Sequence, residues 1–183
     1  MKENIEIEYK TLLSKNNFFT LLDMYKSDTD YFVKQDNYYY DTSLFDCKNN
    51  NIAIRTRVIA DETYFTLKFK ADVLYEYEKK VSCCFLNDRE VLDILSRYNI
   101  DPKSLINFAT LSTERCQIDL NCAYLCFDIN TYNDSIDYEL EYEYKNAEAS
   151  LNDYQSILSK VGCSFSSNCD SKIARVSKNI KIQ

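Results

Sequence analysis

The stretch Glu6-Ile7-Glu8-Tyr9-Lys10, near the start of the chain, sets the pattern from which the fold is predicted. Its charged residues stand at every second position, with apolar residues between them. Because alternate side chains of a β-strand point to opposite faces, Glu6, Glu8 and Lys10 are expected to share one face of a strand. An ordinary sheet with one face in water shows the same alternation, so this stretch alone does not identify a site.

The same alternation recurs along much of the chain, in residues 52–58, 64–70, 76–81 and 137–144. The charged faces contain as many acids as bases, which is the balance expected of charges that face one another away from water. The acids are Glu6, Glu8, Glu76, Glu78, Glu139, Glu141 and Glu143, and the bases are Lys10, Arg55, Arg57, Lys68, Lys70, Lys80 and Arg115.

Amphipathic helices are predicted between the strands, because apolar residues recur there at helical spacing. We expect helices over about 15–26, with Ser14 as the N-cap, over 87–98, and over 151–161, where Gly162 ends the helix; residues 171–175 are expected to form a short one. Three helices need an apolar surface, which strands with inward charges would offer on their outer side. The predicted fold is therefore α+β, with one domain over residues 1–183 that forms an eight-stranded antiparallel β-barrel with a polar lumen and flanking helices.

The composition excludes several kinds of functional site. The 183 residues include one glycine, one proline and no histidine, which excludes glycine-rich phosphate loops and nucleophiles activated by histidine. A formal net charge of −7 disfavours long nucleic acid as the main partner. None of the eight cysteines forms a Cys-x-x-Cys pair, so a zinc site is not expected. Neither a signal peptide nor a membrane-spanning run is evident, and we expect a cytoplasmic protein.

The clearest chemical signal is the run of acids at Glu139, Glu141 and Glu143. Three carboxylates on one strand face repel one another, and a bound cation would offset this repulsion. Together with Glu6 and Glu8 they would make an all-oxygen site of the kind that suits Mg²⁺ or Mn²⁺. The bases of the neighbouring strands would then hold the oxygens of a polyphosphate.

These motifs, taken in order, resemble the CYTH superfamily of triphosphate tunnel metalloenzymes. The resemblance rests on Glu6-x-Glu8-x-Lys10, the segment 35–42, Arg55-x-Arg57, Lys68-x-Lys70, Glu76-x-Glu78, Thr113-Glu114-Arg115 and Glu139-x-Glu141-x-Glu143. Asp128 and Tyr132 fit a further motif of the family. The closing Ser171-Lys172-Ile173-Ala174-Arg175 is similar to the end of a small bacterial branch described as adenylate cyclase-like.

The resemblance implies a small-molecule triphosphate as substrate, hydrolysed with Mg²⁺ or Mn²⁺. No membrane partner is expected, because no apolar run approaches membrane-spanning length. The resemblance also implies metal ligands at Glu6, Glu8, Glu139, Glu141 and Glu143, and catalytic roles for Glu76, Glu78 and Lys10. Glu76 and Glu78 would either orient the bases or bind a second metal ion. The implied substrate-binding residues are Lys10, Arg55, Arg57, Lys68, Lys70, Lys80, Arg115, Lys172 and Arg175.

Three readings of the function stay open at this point. Hydrolysis of inorganic tripolyphosphate ranks first. A class IV-type adenylate cyclase or a thiamine triphosphatase would use the same phosphate ligands, although the cyclase also needs a pocket for the base. A polyphosphate- or nucleotide-binding module without catalysis ranks last because the motif set is intact. A β-barrel with solvated charges and no ligand would show single motifs of this kind, but not all of them in order.

Overall fold

The computed structural model describes residues 2–5, 7–82 and 85–178, and for residues 2–5 it describes the backbone alone. Glu6, a predicted metal ligand, lies outside the described residues. The strands are β1 (Lys2–Ile5), β2 (Glu8–Leu13), β3 (Val33–Asp41), β4 (Ile52–Ile59), β5 (Glu62–Lys70), β6 (Leu74–Val81), β7 (Ile106–Asp119), β8 (Ala123–Tyr132) and β9 (Ser135–Tyr144). The α-helices are α1 (Lys15–Tyr25), α2 (Asp46–Asn49), α3 (Arg89–Arg97), α4 (Leu151–Ser159) and α5 (Lys172–Ser177).

The predicted first strand is two strands, which is why the described residues form nine strands rather than eight. β1 pairs with β6 and places Lys2 opposite Glu78, whereas β2 pairs with β9 and places Glu8 opposite Glu143. Both pairs are antiparallel. The chain therefore changes its pairing partner within the stretch that the sequence pattern presents as continuous.

The chain divides into two compact units, and each is described by itself. The first unit contains residues 1–6, 35–111 and 173–183, and the second contains residues 7–34 and 112–172. The long strand β7 contributes its first part to the first unit and its second part to the second.

In the first unit the strands follow the order β1-β6-β5-β4-β3, with the start of β7 beside β3. One face of this sheet is apolar and buries Ile54, Phe65 and Leu67 against Val91 and Leu95 of α3. Because side chains alternate across a strand, the residues between them, including Arg55, Thr66 and Lys68, lie on the opposite face. The predicted separation of apolar and charged faces is thus present in this unit.

The second unit repeats this design with the strand order β7-β8-β9-β2. Its apolar face buries Phe127 and Leu140 against Phe18 of α1 and Leu158 of α4. The hydroxyl of the fully buried Tyr154, also in α4, donates a hydrogen bond to the backbone oxygen of Leu140 at 3.0 Å. Two helices therefore cover one face of the sheet, and the glutamates of β9 lie on the other.

The predicted helices are present, with small differences at their ends. The Ser14 hydroxyl accepts the backbone N–H of Asn17 at 3.2 Å and caps α1 as expected. α3 begins at Arg89 after an N-cap at Asp88, because residues 85–87 form a turn of 3₁₀-helix. No helix in the described part of the chain is long and apolar enough to cross a membrane.

The third predicted helix ends earlier than expected. α4 stops at Ser159, and Gly162 follows with φ of +70°. The backbone N–H of Gly162 donates to Ser159 O and that of Cys163 donates to Leu158 O, so the chain reverses in a tight turn after the last helical residue. The glycine is therefore a terminating signal, as predicted, but it lies past the helix end rather than directly after it.

The turn between β8 and β9 forms without the glycine that a tight hairpin favours. Asn133 and Asp134 occupy it with φ of 46° and 61°, and they join Tyr132 to Ser135. Two successive left-handed residues are the mark of a type I′ turn, which Asn and Asp tolerate better than other non-glycine residues. This turn sets the register that pairs Asp128 with Glu139.

We predict that Gly162→Ala lowers the free energy of unfolding by about 1 kcal/mol because a left-handed backbone is unfavourable for alanine. A Cβ at this position would meet nothing within 4 Å, so backbone strain is the whole cause. Urea unfolding of the full chain measures the change. Gly162→Asn is the control and should lose less, since asparagine tolerates positive φ; equal losses would contradict the explanation.

Candidate functional site

The strand register of the second unit assembles an acidic face from four strands. Cross-strand partners on this face form one row of Arg115, Asp128 and Glu139, and a second row of Cys126, Glu141 and Lys10. Glu8 and Glu143 are partners in a third row. Directly opposed residues of neighbouring strands lie side by side, so the predicted acids of β2 and β9 come together.

Arg115 lies among the carboxylates of this face. Its Nε and Nη2 bind the two oxygens of Asp128 at 2.7 and 2.6 Å, its Nη1 binds Glu143 at 3.0 Å, and its Nη2 also contacts Glu141. The fork to Asp128 has the bidentate geometry that makes arginine–carboxylate pairs strong. Burial opposes the charged guanidinium, but Asp128 and Glu141 keep the pKa of Arg115 well above its ordinary value.

Lys172, the first residue of α5, places its ammonium among three carboxylates. Its Nζ lies 2.8 Å from Asp128, 2.6 Å from Glu139 and 2.6 Å from Glu141. Asp128 and Glu139 are fully buried, and Glu141 is 5% exposed. Burial lowers the pKa of Lys172, but the attraction of the three carboxylates outweighs it and the pKa is raised well above its ordinary value.

The carboxylates respond in the opposite direction. Burial by itself would raise the pKa of Glu141, but Lys172, Arg115 and Lys10 hold it well below its usual range. Arg115 and Lys172 likewise lower the pKa of the buried Asp128 against its desolvation. Lys10 binds Glu8, and the glutamates around it raise its pKa although burial lowers it. The carboxylates of Glu141 and Asp128 and the ammonium of Lys10 are therefore charged at neutral pH.

The acidic face has more negative than positive charge. Among the described residues, the groups of this face that form ion pairs are five carboxylates (Glu8, Asp128, Glu139, Glu141 and Glu143) and three bases (Lys10, Arg115 and Lys172), and Asp137 adds a further carboxylate that binds Asn130. Oxygen atoms of Glu8, Glu141 and Glu143 lie within 4.8 Å of one another, as do those of Asp128, Glu139 and Glu141. The donor set, the spacing and the excess charge all fit a divalent cation that prefers oxygen ligands.

Asp128 was not among the predicted metal ligands, although it belongs to one of these two groups. It is an acid near the end of an otherwise apolar strand segment, and its position opposite Glu139 follows from the register of β8 and β9. The fit of Asp128 to a family motif was the available signal in the sequence.

A buried hydrogen-bond network holds Glu139 from the side. The fully buried Asn130 donates from Nδ2 to Glu139 at 3.2 Å and to Asp137 at 2.9 Å, and its Oδ1 accepts the Thr113 hydroxyl at 2.7 Å. Tyr132 donates to the other oxygen of Asp137 at 2.6 Å. Such outer partners fix the orientation of a carboxylate that binds a cation, and sequence reasoning gave no sign of Asn130.

The charged face of the first unit brings several of its predicted residues together. Glu76 lies 3.9 Å from Arg55 and 3.4 Å from Lys68, while Arg55 donates to Thr66 at 3.3 Å. The Thr66 hydroxyl donates in turn to Glu78 at 3.5 Å. Arg55 is 8% exposed, and its buried Nε has no hydrogen-bond partner within the described structure. A buried donor without a partner is costly, and an anionic ligand would satisfy it.

The remaining predicted residues lie in different surroundings. Arg57 donates from Nε to Asn37 at 3.2 Å, and Lys70 is exposed at the end of β5. Lys80 pairs with the exposed Glu62, and its own side chain is 60% exposed. Arg175 is buried in α5.

Comparison with solved structures supports the fold across almost the whole chain. A protein from Bacillus halodurans, described as "a putative adenylate cyclase", is 31% identical with a TM-score of 0.84, over 96% of this chain and 98% of that one. A protein from Hippeastrum described as "putative adenylyl cyclase HpAC1", with a dominant triphosphatase activity, is 18% identical with a TM-score of 0.78, over 95% and 96% of the two chains. At that identity the likeness shows the fold alone, and the predicted fold class is confirmed.

Sequence comparison gives the same assignment. A curated protein of Bacillus subtilis (strain 168), named "Putative triphosphatase YjbK", is 30% identical over 150 residues, which are 78% of this chain and 79% of the relative. The family model of the CYTH domain matches residues 4–168, which include strands of both compact units. The resemblance predicted from the motifs is confirmed: the chain belongs to the CYTH family.

Proposed function

We propose that this protein is a metal-dependent triphosphatase that hydrolyses inorganic tripolyphosphate to diphosphate and orthophosphate. The observation that carries the proposal is the acidic face of the second unit, where oxygens of Glu8, Glu141 and Glu143 lie within 4.8 Å of one another, a donor set that suits a divalent cation. The Bacillus subtilis relative, named as a triphosphatase, supports the reaction class. The carboxylate donors of this face agree with an oxygen-ligated cation.

The proposed ligands of a Mg²⁺ or Mn²⁺ ion are Glu8, Glu141 and Glu143, whose oxygens already lie close together. When bound, the ion would neutralise phosphate charge and lower the pKa of a water molecule. Glu139 and Asp128 stand in the adjoining group and share Glu141 with it. Arg115 holds Glu141 and Glu143 in place, so it acts on the ligands in this proposal rather than on the substrate.

The basic side chains of the first unit are the proposed phosphate ligands. Arg55 has the strongest support because its buried Nε has no hydrogen-bond partner among the residues that the structure describes. Lys68 and Arg55 both contact Glu76, and Arg57 follows Arg55 on the same face of β4. Lys70, Lys80 and Arg175 are candidates by resemblance only.

Glu76 and Glu78 are proposed to orient these bases. Glu76 lies between Arg55 and Lys68, and Glu78 accepts from the Thr66 hydroxyl that itself accepts from Arg55. Phosphoryl transfer depends mainly on positioning and charge neutralisation, so fixing the direction of a guanidinium is a sufficient role for a carboxylate. Lys10, held by Glu8, adds positive charge beside the proposed metal ligands.

A second candidate function is the cyclisation of ATP. The Bacillus halodurans relative, similar over 96% of this chain, carries an adenylate cyclase description. The same phosphate ligands would serve this reaction, but we identify no side chains that would bind an adenine base among the described residues. Hydrolysis is therefore ranked first.

We predict phosphate release from tripolyphosphate in the presence of Mg²⁺ or Mn²⁺, and its loss when EDTA removes the metal. The measurement compares tripolyphosphate, ATP and thiamine triphosphate, and scores cyclic AMP in the ATP reactions. Cyclic AMP without phosphate release would reverse the ranking. Tight tripolyphosphate binding without any product would show a binding module instead.

Glu141→Gln should lower kcat/KM for tripolyphosphate by about 100-fold or more, because it removes a carboxylate shared by both acidic groups. The protein should stay folded, since Arg115 keeps Asp128 and Glu143 and Lys172 keeps Asp128 and Glu139. Circular dichroism checks the fold. The exposed Glu148→Gln is the matched control and should behave as wild type; retained activity in Glu141→Gln would remove the glutamate from the site.

Arg55→Met should weaken the binding of tripolyphosphate by about tenfold or more, because one charge-assisted contact contributes roughly 1.5–3 kcal/mol. Calorimetric titration in the presence of Mg²⁺ measures the change. Arg97→Met, at an exposed position of α3, removes the same charge from the same unit and should leave affinity unchanged. Equal effects of the two substitutions would point to net charge rather than to a phosphate contact at Arg55.

A further inference from the structure

The second unit contains two adjoining groups of three carboxylates, and different basic side chains contact them. Glu141 belongs to both; Glu8 and Glu143 complete the first group, and Asp128 and Glu139 complete the second. In the second group the single Nζ atom of Lys172 lies within 2.8 Å of all three carboxylates. An ammonium has three N–H donors, so each carboxylate can accept one of them.

The first group meets its bases in another way. Lys10 contacts Glu8, while Arg115 contacts Glu141 and Glu143 through two different nitrogens. Positive charge at this group is thus shared between two side chains that approach from different strands. The oxygens of its three carboxylates lie within 4.8 Å of one another and are of the type that Mg²⁺ and Mn²⁺ prefer.

The position of Lys172 is secured by the segment just before it. Asn168 accepts the backbone N–H of Lys10 at 2.9 Å and donates to the backbone oxygen of Glu8 at 3.1 Å. The backbone N–H of Cys169 donates to Lys10 O at 3.1 Å, and its thiol donates to Glu139 at 3.5 Å. Residues 168–169 are therefore held by hydrogen bonds against the backbone of β2. Lys172 comes only three residues after Cys169, so this attachment limits where its side chain can lie.

We propose that Lys172 serves as the permanent cation of the Asp128–Glu139–Glu141 group, so that the protein binds one divalent ion, at Glu8, Glu141 and Glu143, and not two. The inference deepens the proposed function and rests on it. Lys172 lies beyond residues 4–168, which the family model matches, so the model itself does not assign it a role.

The energetics favour an internal cation at this place. Three buried carboxylates without a cation would be strongly destabilising, because desolvation and mutual repulsion add together. Lys172, together with the Arg115 guanidinium that binds Asp128 and Glu141, offsets much of their negative charge at every metal concentration, whereas a second ion would have to displace the lysine ammonium. Removing the ammonium should therefore open the second group to a metal ion.

The test measures Mn²⁺ bound per full-length chain, from the electron paramagnetic resonance of free Mn²⁺ during titration. Wild type should bind one ion and Lys172→Met two, while Lys172→Arg, which keeps a cation, should bind one. Lys145→Met is the matched control, since Lys145 lies in the same unit but pairs with Asp119 at an exposed position, and it should bind one ion.

Thermal unfolding provides a second readout that does not depend on activity. In EDTA, Lys172→Met should unfold at a lower temperature than wild type, and saturating Mn²⁺ should raise its Tm by more than it raises that of wild type. If Lys172→Met does not fold in EDTA, Lys172→Gln, which retains an N–H donor, takes its place. Recovery of the folded state by Mn²⁺ alone would also support the proposal.

The outcomes separate this inference from the proposed function. Two ions in wild type, or one ion in both Lys172→Met and Lys172→Gln, would overturn the role of Lys172 and leave a metal-dependent triphosphatase standing. No bound ion in wild type, even with tripolyphosphate present, would overturn the metal proposal itself and this inference with it.

Discussion

The structure of the second unit depends on the neutralisation of buried carboxylates. Asp128, Glu139 and Glu141 are nearly or fully excluded from water, and the bases Arg115 and Lys172 lie within hydrogen-bonding distance of them. Removing either base would leave uncompensated charge in a buried setting, which is among the most destabilising changes a protein can undergo. The strand register and the docking of residues 168–172 are both needed to supply these bases.

Both units have the same arrangement of a sheet with helices packed on one face. In each unit an antiparallel sheet buries its apolar face under helices, α3 in the first and α1 with α4 in the second. The other face of each sheet contains the charges that the helices do not cover. The first unit places bases there with two glutamates between them, and the second places acids with three bases. Under the proposed function, this division of charge would suit the first unit to phosphate oxygens and the second to a cation.

The contacts around the acids fix the orientation of their carboxylates. Asn130 holds Glu139 from one side, and the thiol of Cys169 donates to it from another. Arg115 crosses from β7 to reach carboxylates on β8 and β9. A site prepared in this way loses little conformational freedom when it binds an ion or a substrate, and this supports the assignment of a functional rather than a structural role.

Much of this protein was determined by local sequence. The alternation of charged and apolar residues identified the strands and their faces, and Ser14 marked the start of α1, because side-chain direction and capping depend on neighbours in the chain. Tertiary structure alone decided which charges meet. The register of β8 on β9 brought Asp128 to Glu139, and the chain reversal after α4 brought Lys172 to both. A shift of one residue would turn each strand over, so contacts of this kind depend on long-range hydrogen bonding that no local pattern contains.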